Sequence, residues 1–473
     1  MNANDLPLSE KLQAALALQR KAYPAHPVPR LDERRNDLRA LQALVRDHKD
    51  ALCAAISADY GHRSTHETLL CEVAPAVDGI RHVLTQLPRW MKVQRRHVDS
   101  KSFPLARNQV VPQPLGVVGA IVPWNFPLNL SVVPLTYIFA AGNRAMVKMS
   151  ENSRHLARLL IERLPAYFPP EKLQVFDETG GVGVEFSKLP FDHLLFTGSG
   201  ATGRLVMSAA AQNLCPVTLE LGGRSPAIVC SDFPVRTAAE RVLFVKYLNA
   251  GQICTTVDHL WLPHDKIDAF VQAAREIVPA RYPTLDSPDY TSIIDQRSFD
   301  RLLAALDDAR ERGATLLPLL PGPAFDAATR KINPHIVLGA PPESVLWQRE
   351  IFGPILPIRG YQALEEVVDA VNAGPRPLAI YPFSKDRGTL KMLLDRVMSG
   401  GVTVNDALLH VGQHDLPFGG VGESGMGHYH GREGFNTFSK LRPVFYQGKF
   451  PNVKFLMPPY GALADRLLRF LMR

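Results

Sequence analysis

The chain is 473 residues long, and at roughly 150 residues per domain it predicts about three domains or one large two-domain enzyme. Hydrophobic residues make up 46% and charged residues 21%, an ordinary balance that excludes a disordered, collagen-like or coiled-coil chain. The net charge of +7 is spread along the sequence; it suits an anionic ligand such as a pyrophosphate. No aromatic-interleaved basic stretch is present, so nucleic acid is not an expected partner.

No apolar run reaches the roughly 18 residues a membrane span requires. The opening MNANDLPLSEKLQ lacks the basic and apolar regions of a signal peptide. Five cysteines (Cys53, Cys71, Cys215, Cys230, Cys254) form no C-x-x-C pair, which argues against a disulfide framework or zinc ribbon and fits a reducing, cytoplasmic setting.

Residues 8–60 carry helical leucine spacing, interrupted by the proline-rich 24–29, and a further helix is predicted over about 66–92, ending near Pro88. Residues 101–114, with short apolar runs and several prolines, predict extended structure or a hairpin. From 115 the texture alternates. Val117–Val122 reads as a buried parallel strand, 128–141 as a helix, 145–148 as a strand and 151–168 as a helix. Strands follow near 173–176, 193–197, 217–221 and 226–230, with a helix at 201–212. A second α/β stretch spans about 235–405, and 401–440 is loop-rich. The alternation predicts a doubly wound α/β sheet.

Four local features carry chemistry. Gly198, Gly200 and Gly203 satisfy G-x-G-x-x-G between a strand and a helix, the setting of a dinucleotide fingerprint. Glu220 lies 22 residues past Gly198, about where a ribose-binding carboxylate would stand, and it sits inside an apolar strand before a double glycine, where a carboxylate is either paired or a base with a raised pKa. Cys254 follows a glycine-containing turn; on residue type alone a buried apolar thiol is the commoner reading, and a nucleophile needs activation. Asn125 is pinned between prolines at a strand end, as a turn residue or as an amide donor to a developing oxyanion.

Together these features resemble one family, the aldehyde dehydrogenases. The carriers are PWNFP (123–127), KMSE (148–151), FTGS (196–199), LELGG (219–223), GQIC (251–254), EIFGP (350–354) and LPFGGVGESGMG (416–427), and the resemblance covers nearly the whole chain. Within the family, 399–406 and 429–440 look most like the class 3 branch, and 151–160 with the tail looks closest to bacterial coniferyl aldehyde dehydrogenases.

The resemblance implies a Rossmann-type cofactor domain (1–98 and 116–219), an α/β catalytic domain (220–425), and a β oligomerisation element with a C-terminal tail (99–115 and 426–473). It implies Cys254 as nucleophile, Asn125 with the Cys254 N–H as oxyanion hole, and Glu220 as the base for thioester hydrolysis. Lys148 and Glu151 would hold the adenosine ribose, and Gly198, Ser199 and Gly203 would serve the pyrophosphate turn. Glu350 and Phe352 would place the nicotinamide ribose. The ribose carboxylate thereby moves from Glu220 to Glu151. NAD is the expected cofactor, with NADP as the alternative, and a homodimer is expected.

The expected reaction is oxidation of a hydrophobic or aromatic aldehyde, with coniferyl aldehyde as lead substrate. Alternatives are a long-chain aliphatic aldehyde dehydrogenase, a coenzyme A-acylating enzyme, and a silent membrane-associated or scaffold protein. The chain departs from the family pattern at TTVDH (255–259), Arg224, Gly200, Arg349 and Phe126.

His410 and His414 stand four apart, but no third ligand follows, so no metal is expected and a place at the substrate mouth is the better reading. His428 and His430 read as structural or interface groups. The tail 461–473 is amphipathic: Leu463, Leu467, Phe470 and Leu471 face Asp465, Arg466, Arg469 and Arg473 across the helix. Packing against protein is the expected use of that helix, and a membrane surface is the lesser alternative.

Overall fold

The computed structural model describes residues 7–100, 102–449 and 452–472, so Arg473 lies outside the described residues. Two large sheets carry the chain. The first has the strand order Gly425–Met426, Val217–Leu221, His193–Gly198, Val117–Ile121, Arg144–Lys148, Leu173–Phe176; all neighbours pair in parallel except the antiparallel Gly425–Met426 edge. Val117–Ile121 lies centrally and is buried along its whole length. That is why it reads as a continuous apolar run and not an alternation. Helices on both faces bury separate clusters, one around Val118, Ala120, Ile138 and Phe139, the other around Ile121, Phe186, Leu194 and Phe196.

The second sheet orders Thr315–Pro318, His335–Leu338, Ile355–Tyr361, His259–Pro263, Pro226–Val229, Ala379–Phe383 and Gly401–Val402, again parallel apart from the Thr315–Pro318 edge. The chain crosses from first sheet to second between Leu221 and Pro226. Gly223 belongs to that crossing: a Cβ there would stand 2.6 Å from the Leu378 N.

A third, antiparallel sheet joins Gln94–Arg96, Arg107–Pro114 and Ser439–Tyr446, with eight residue pairs between the last two. Of the stretch 101–114, predicted as extended structure or a hairpin, Arg107–Pro114 is a strand, and it pairs with Gln94–Arg96 upstream of the predicted range. The predicted 66–92 helix is continuous in course but changes character. Pro75 has no N–H to give back to Cys71, and the chain widens into a π turn over Leu69–Val73 before the α-helix Ala74–Trp90. The tail forms the helix Ala462–Leu471; Leu463, Phe470 and Leu471 remain exposed and only Ala464 is buried. Among the described residues no helix is long and apolar enough to cross a membrane.

Candidate active site

Cys254 is delivered by an unusual turn. The helix Val235–Tyr247 breaks into Leu248–Gly251, where Asn249 and Ala250 take φ of 51° and 50° and Gly251 takes 73°. Non-glycine residues in this left-handed region cost roughly 1 kcal/mol or more each, so the surroundings must hold them there. Gln252 does much of this: its Nε2 donates to the carbonyls of Asn249 (3.0 Å) and Ser292 (3.1 Å), and its Oε1 accepts from the Ile294 N (3.0 Å). Gly251 has no substitute, since a Cβ would lie 2.3 Å from the Gly353 carbonyl oxygen.

Asn125 leaves the end of the central strand and faces the same turn. Its Nδ2 donates to the Gln252 carbonyl at 3.3 Å, which leaves its second N–H for a ligand. Its backbone carbonyl accepts from the Tyr60 hydroxyl (2.9 Å), Arg63 Nη1 (3.2 Å) and Asn249 Nδ2 (3.3 Å). Arg63 also donates to Glu72 at 2.6 Å, with both side chains fully buried, and Glu72 accepts from the backbone N–H groups of Leu128 (2.7 Å) and Asn129 (3.2 Å). A buried ion pair thus fixes both ends of the loop 125–129. Tyr60, Arg63 and Glu72 went unnoticed in the sequence, where nothing marks two charges nine residues apart as a buried pair.

Cys254, Asn125, Glu220, Glu350, Phe352, Gly198 and Ser199 line one cavity of about 270 Å³, with Trp124, Leu130, Leu378 and Phe418 among its apolar walls. Glu220 is buried with neither carboxylate oxygen hydrogen-bonded, and burial pushes its pKa well above the ordinary carboxylate range. Burial, then the charge of Asp258, raises Glu350 to about 8. Burial also raises the Cys254 thiol to about 12, with Glu350 and Glu220 adding to the effect. All three groups therefore hold their protons at neutral pH in the free protein.

A groove of about 570 Å³ adjoins this cavity and shares Pro123, Trp124, Thr197, Gly198 and Ser199 with it. Lys148 and Glu151 line its far end, together with Glu178, which forms an ion pair with Lys148. Ser199 caps the helix Gly200–Ala211, its hydroxyl accepting from the Thr202 N at 3.2 Å. That helix end presents N–H groups suited to a pyrophosphate. Gly203 lines neither space. It is buried beneath the helix, where a Cβ would meet Leu221 at 2.7 Å, so its place is set by helix–strand packing. Glu178 is a further groove residue that the sequence did not single out.

Two departures from the family pattern meet under the Glu350 loop. Arg224 Nε pairs with Asp258 Oδ2 at 3.2 Å and its Nη1 donates to the Trp347 carbonyl, while Asp258 Oδ1 accepts from the Ile351 N at 2.9 Å. Arg301 Nη1 donates to the Ile351 carbonyl at 2.8 Å. Phe352, at φ 48°, then lies edge-on to Trp124 at 5.4 Å. His410 and His414 take separate partners, Thr403 Oγ1 at 2.8 Å and Asp78 Oδ2 at 3.1 Å. Among the described residues no group of three or more His, Cys, Asp or Glu could hold a metal ion.

A thiol, an amide donor and an unpaired carboxyl therefore share one cavity that adjoins a longer groove. Residues 8–444 match the model of the aldehyde dehydrogenase family, and the chain belongs to that family, an NAD(P)-dependent oxidoreductase. It is 48% identical over 459 residues to the Pseudomonas aeruginosa protein named "Probable coniferyl aldehyde dehydrogenase", covering 97% of this chain and 95% of that one. It is 43% identical over 468 residues to the coniferyl aldehyde dehydrogenase of Pseudomonas sp. strain HR199, covering 98% and 97%. The Staphylococcus aureus AldH structure in its substrate-bound state superimposes with a TM-score of 0.92 at 29% identity, covering 98% of this chain and 99% of that chain.

Proposed function

We propose that this protein oxidises a hydrophobic or aromatic aldehyde, coniferyl aldehyde foremost, to the carboxylic acid with NAD. The observation that carries the reading is the convergence of Cys254, Asn125 and the unpaired Glu220 on one small, apolar-walled cavity that opens into the groove. The relatives named for coniferyl aldehyde support the substrate class. The groove residues fit the dinucleotide, the helix cap at Ser199 toward the pyrophosphate, Lys148 and Glu151 toward the adenosine ribose, and Glu350 and Phe352 toward the nicotinamide end. When bound, NAD would supply the hydride acceptor and the positive charge of its nicotinamide ring.

In this reading Cys254 gives up its proton to solvent and Sγ bonds to the aldehyde carbon, whose oxygen becomes an oxyanion held by Asn125 Nδ2 and the Cys254 N–H. The carbonyl re-forms as the C–H electron pair leaves as hydride, giving a thioester. Glu220, once ionised, takes a proton from water; the oxygen attacks the thioester and the sulfur departs as thiolate. A hydrolytic carboxylate within the cavity favours water over coenzyme A as acyl acceptor. The first sheet would serve as cofactor domain and the second as catalytic domain. Among the described residues the strand Ser439–Tyr446 is an outer strand of its sheet, an arm suited to pairing with a second copy in a cytoplasmic dimer.

The test follows absorbance at 340 nm with coniferyl aldehyde, benzaldehyde and a long-chain aliphatic aldehyde, with NAD and NADP in parallel. Wild type should reduce NAD, fastest with the aromatic aldehydes, and Cys254→Ala should lose about 10⁴-fold or more. Equal activity in Cys254→Ala would sink the thiol mechanism, and a preference for the aliphatic aldehyde would sink the substrate assignment.

A further inference from the structure

The adenosine end of the groove holds more negative charge than its KMSE motif alone supplies. Two lysines line the groove, and each already has a carboxylate partner: Lys148 pairs with Glu178, and Lys188 pairs with Glu185 at 2.8 Å. Glu151 stands at the same end, accepting from the Ser150 hydroxyl at 3.2 Å. Glu178 is held in place, not merely nearby. Its side chain is 18% exposed and that of Lys148 is 8% exposed. Both Glu178 oxygens accept from the Gly183 N–H, at 3.0 and 3.3 Å. A Cβ on Gly183 would stand 2.9 Å from Glu178 Oε2 and 3.2 Å from Lys148 Nζ, so the glycine keeps this packing open. Arg154 and Arg158 lie in a neighbouring cavity of about 660 Å³, which Glu178 also lines together with Asp177.

Resting on the groove as the dinucleotide site, we propose that Glu178 is a specificity-determining residue that selects NAD over NADP. A ribose 2′-hydroxyl can donate to the free lone pairs of a carboxylate, whereas a 2′-phosphate brings close to two negative charges and three acceptor oxygens. At the Lys148 end that phosphate meets Glu178 and Glu151 and finds the ammonium already neutralised. The same carboxylate stands at the border of the cavity where Arg154 and Arg158 could otherwise receive it. Glu178 thus acts twice, by occupying Lys148 and by repelling the phosphate. The mechanism is electrostatic, so the selectivity falls with added salt.

The experiment is calorimetric titration of the full chain, without aldehyde, with NAD and with NADP, for wild type, Glu178→Gln and Glu178→Asp. Wild type should bind NAD about tenfold or more tighter than NADP, an effect of the size expected for one close charge in a half-buried site. Glu178→Gln should shrink that ratio about tenfold, chiefly by tighter NADP binding, and Glu178→Asp should keep most of it. An unchanged ratio in Glu178→Gln, or an equal loss of both affinities, would overturn the proposal while leaving the cofactor groove intact. Binding of neither dinucleotide by wild type would overturn the groove assignment itself, and the selectivity proposal with it.

Discussion

Glutamates serve the two ends of this site in opposite ways. Around Cys254, Glu220 has neither oxygen hydrogen-bonded, and Glu350 accepts from the Gly223 N–H and feels Arg301 and Lys246 only through charge; burial outweighs these and keeps protons on both. At the adenosine end, Glu178 is paired with Lys148 and reaches the surface in part. A carboxyl buried without an ion-pair partner can carry a proton. A carboxylate with a lysine partner at a groove wall is a fixed charge. In the proposed mechanism the same residue type would do proton chemistry at one end and charge recognition at the other, and the difference would lie in the partner each one finds.

Glu220→Gln tests the proton-carrying end most severely. The amide keeps the shape but cannot take a proton from water, and steady-state turnover should fall by about 10²–10⁴. A first-turnover burst of NADH should survive, because only thioester hydrolysis is lost. Because the pKa of Glu220 lies well above the carboxylate range, its base form appears only as pH rises. Wild-type turnover should therefore climb with pH on its acid limb, beyond the range where an ordinary carboxylate has finished titrating. A full-rate Glu220→Gln enzyme would assign the hydrolytic base elsewhere and erase the contrast.

The scaffold under Asn125 gives a second test. Glu72→Gln strands the buried Arg63 charge, and breaking such a pair typically costs about 3–5 kcal/mol. A lowered melting temperature is the expected reading. Arg63→Met combined with Glu72→Gln removes both charges and should recover part of the lost melting temperature. Its kcat should fall below that of wild type, because the Asn125 carbonyl loses its Arg63 donor. A wild-type kcat in the double variant would make the pair structural only.

Much of this was legible before the structure. Val117–Ile121 and the strands that flank it were visible as apolar runs because buried parallel strands need no alternation. The residues that form the cavity were visible as motifs because backbone turns constrain them locally, as Gly251 and the prolines around Asn125 do. What was not legible is side-chain pairing that only the tertiary fold sets. Lys148 with Glu178 and Arg224 with Asp258 depend on which strands lie side by side, and Arg63 reaches Glu72 and the Asn125 carbonyl through the packing of helical segments on the loop that carries Asn125. Gly203 shows the converse. It fits the fingerprint by spacing, yet the contact that requires it is Leu221 on the neighbouring strand.

Glu350 offers the finest test, because it touches the thiol only through charge. The Cys254 thiol, raised to about 12, is held there first by burial and then by Glu350 and Glu220. The thiolate is the reactive species, so alkylation of the free enzyme by iodoacetamide should be slow at neutral pH and rise about tenfold per pH unit well below that value. Glu350 itself titrates near 8, and its charged form appears above that pH, opposing thiolate formation. Glu350→Gln removes the opposition. Its alkylation rate should equal that of wild type below pH 7, where Glu350 is neutral, and exceed it above pH 9. Burial still dominates, so the gain is a few-fold and not a return to an ordinary thiol. An equal rate across the whole range would place Glu350 outside the electrostatic reach of Cys254 and leave Glu220 as the carboxyl that shares its field.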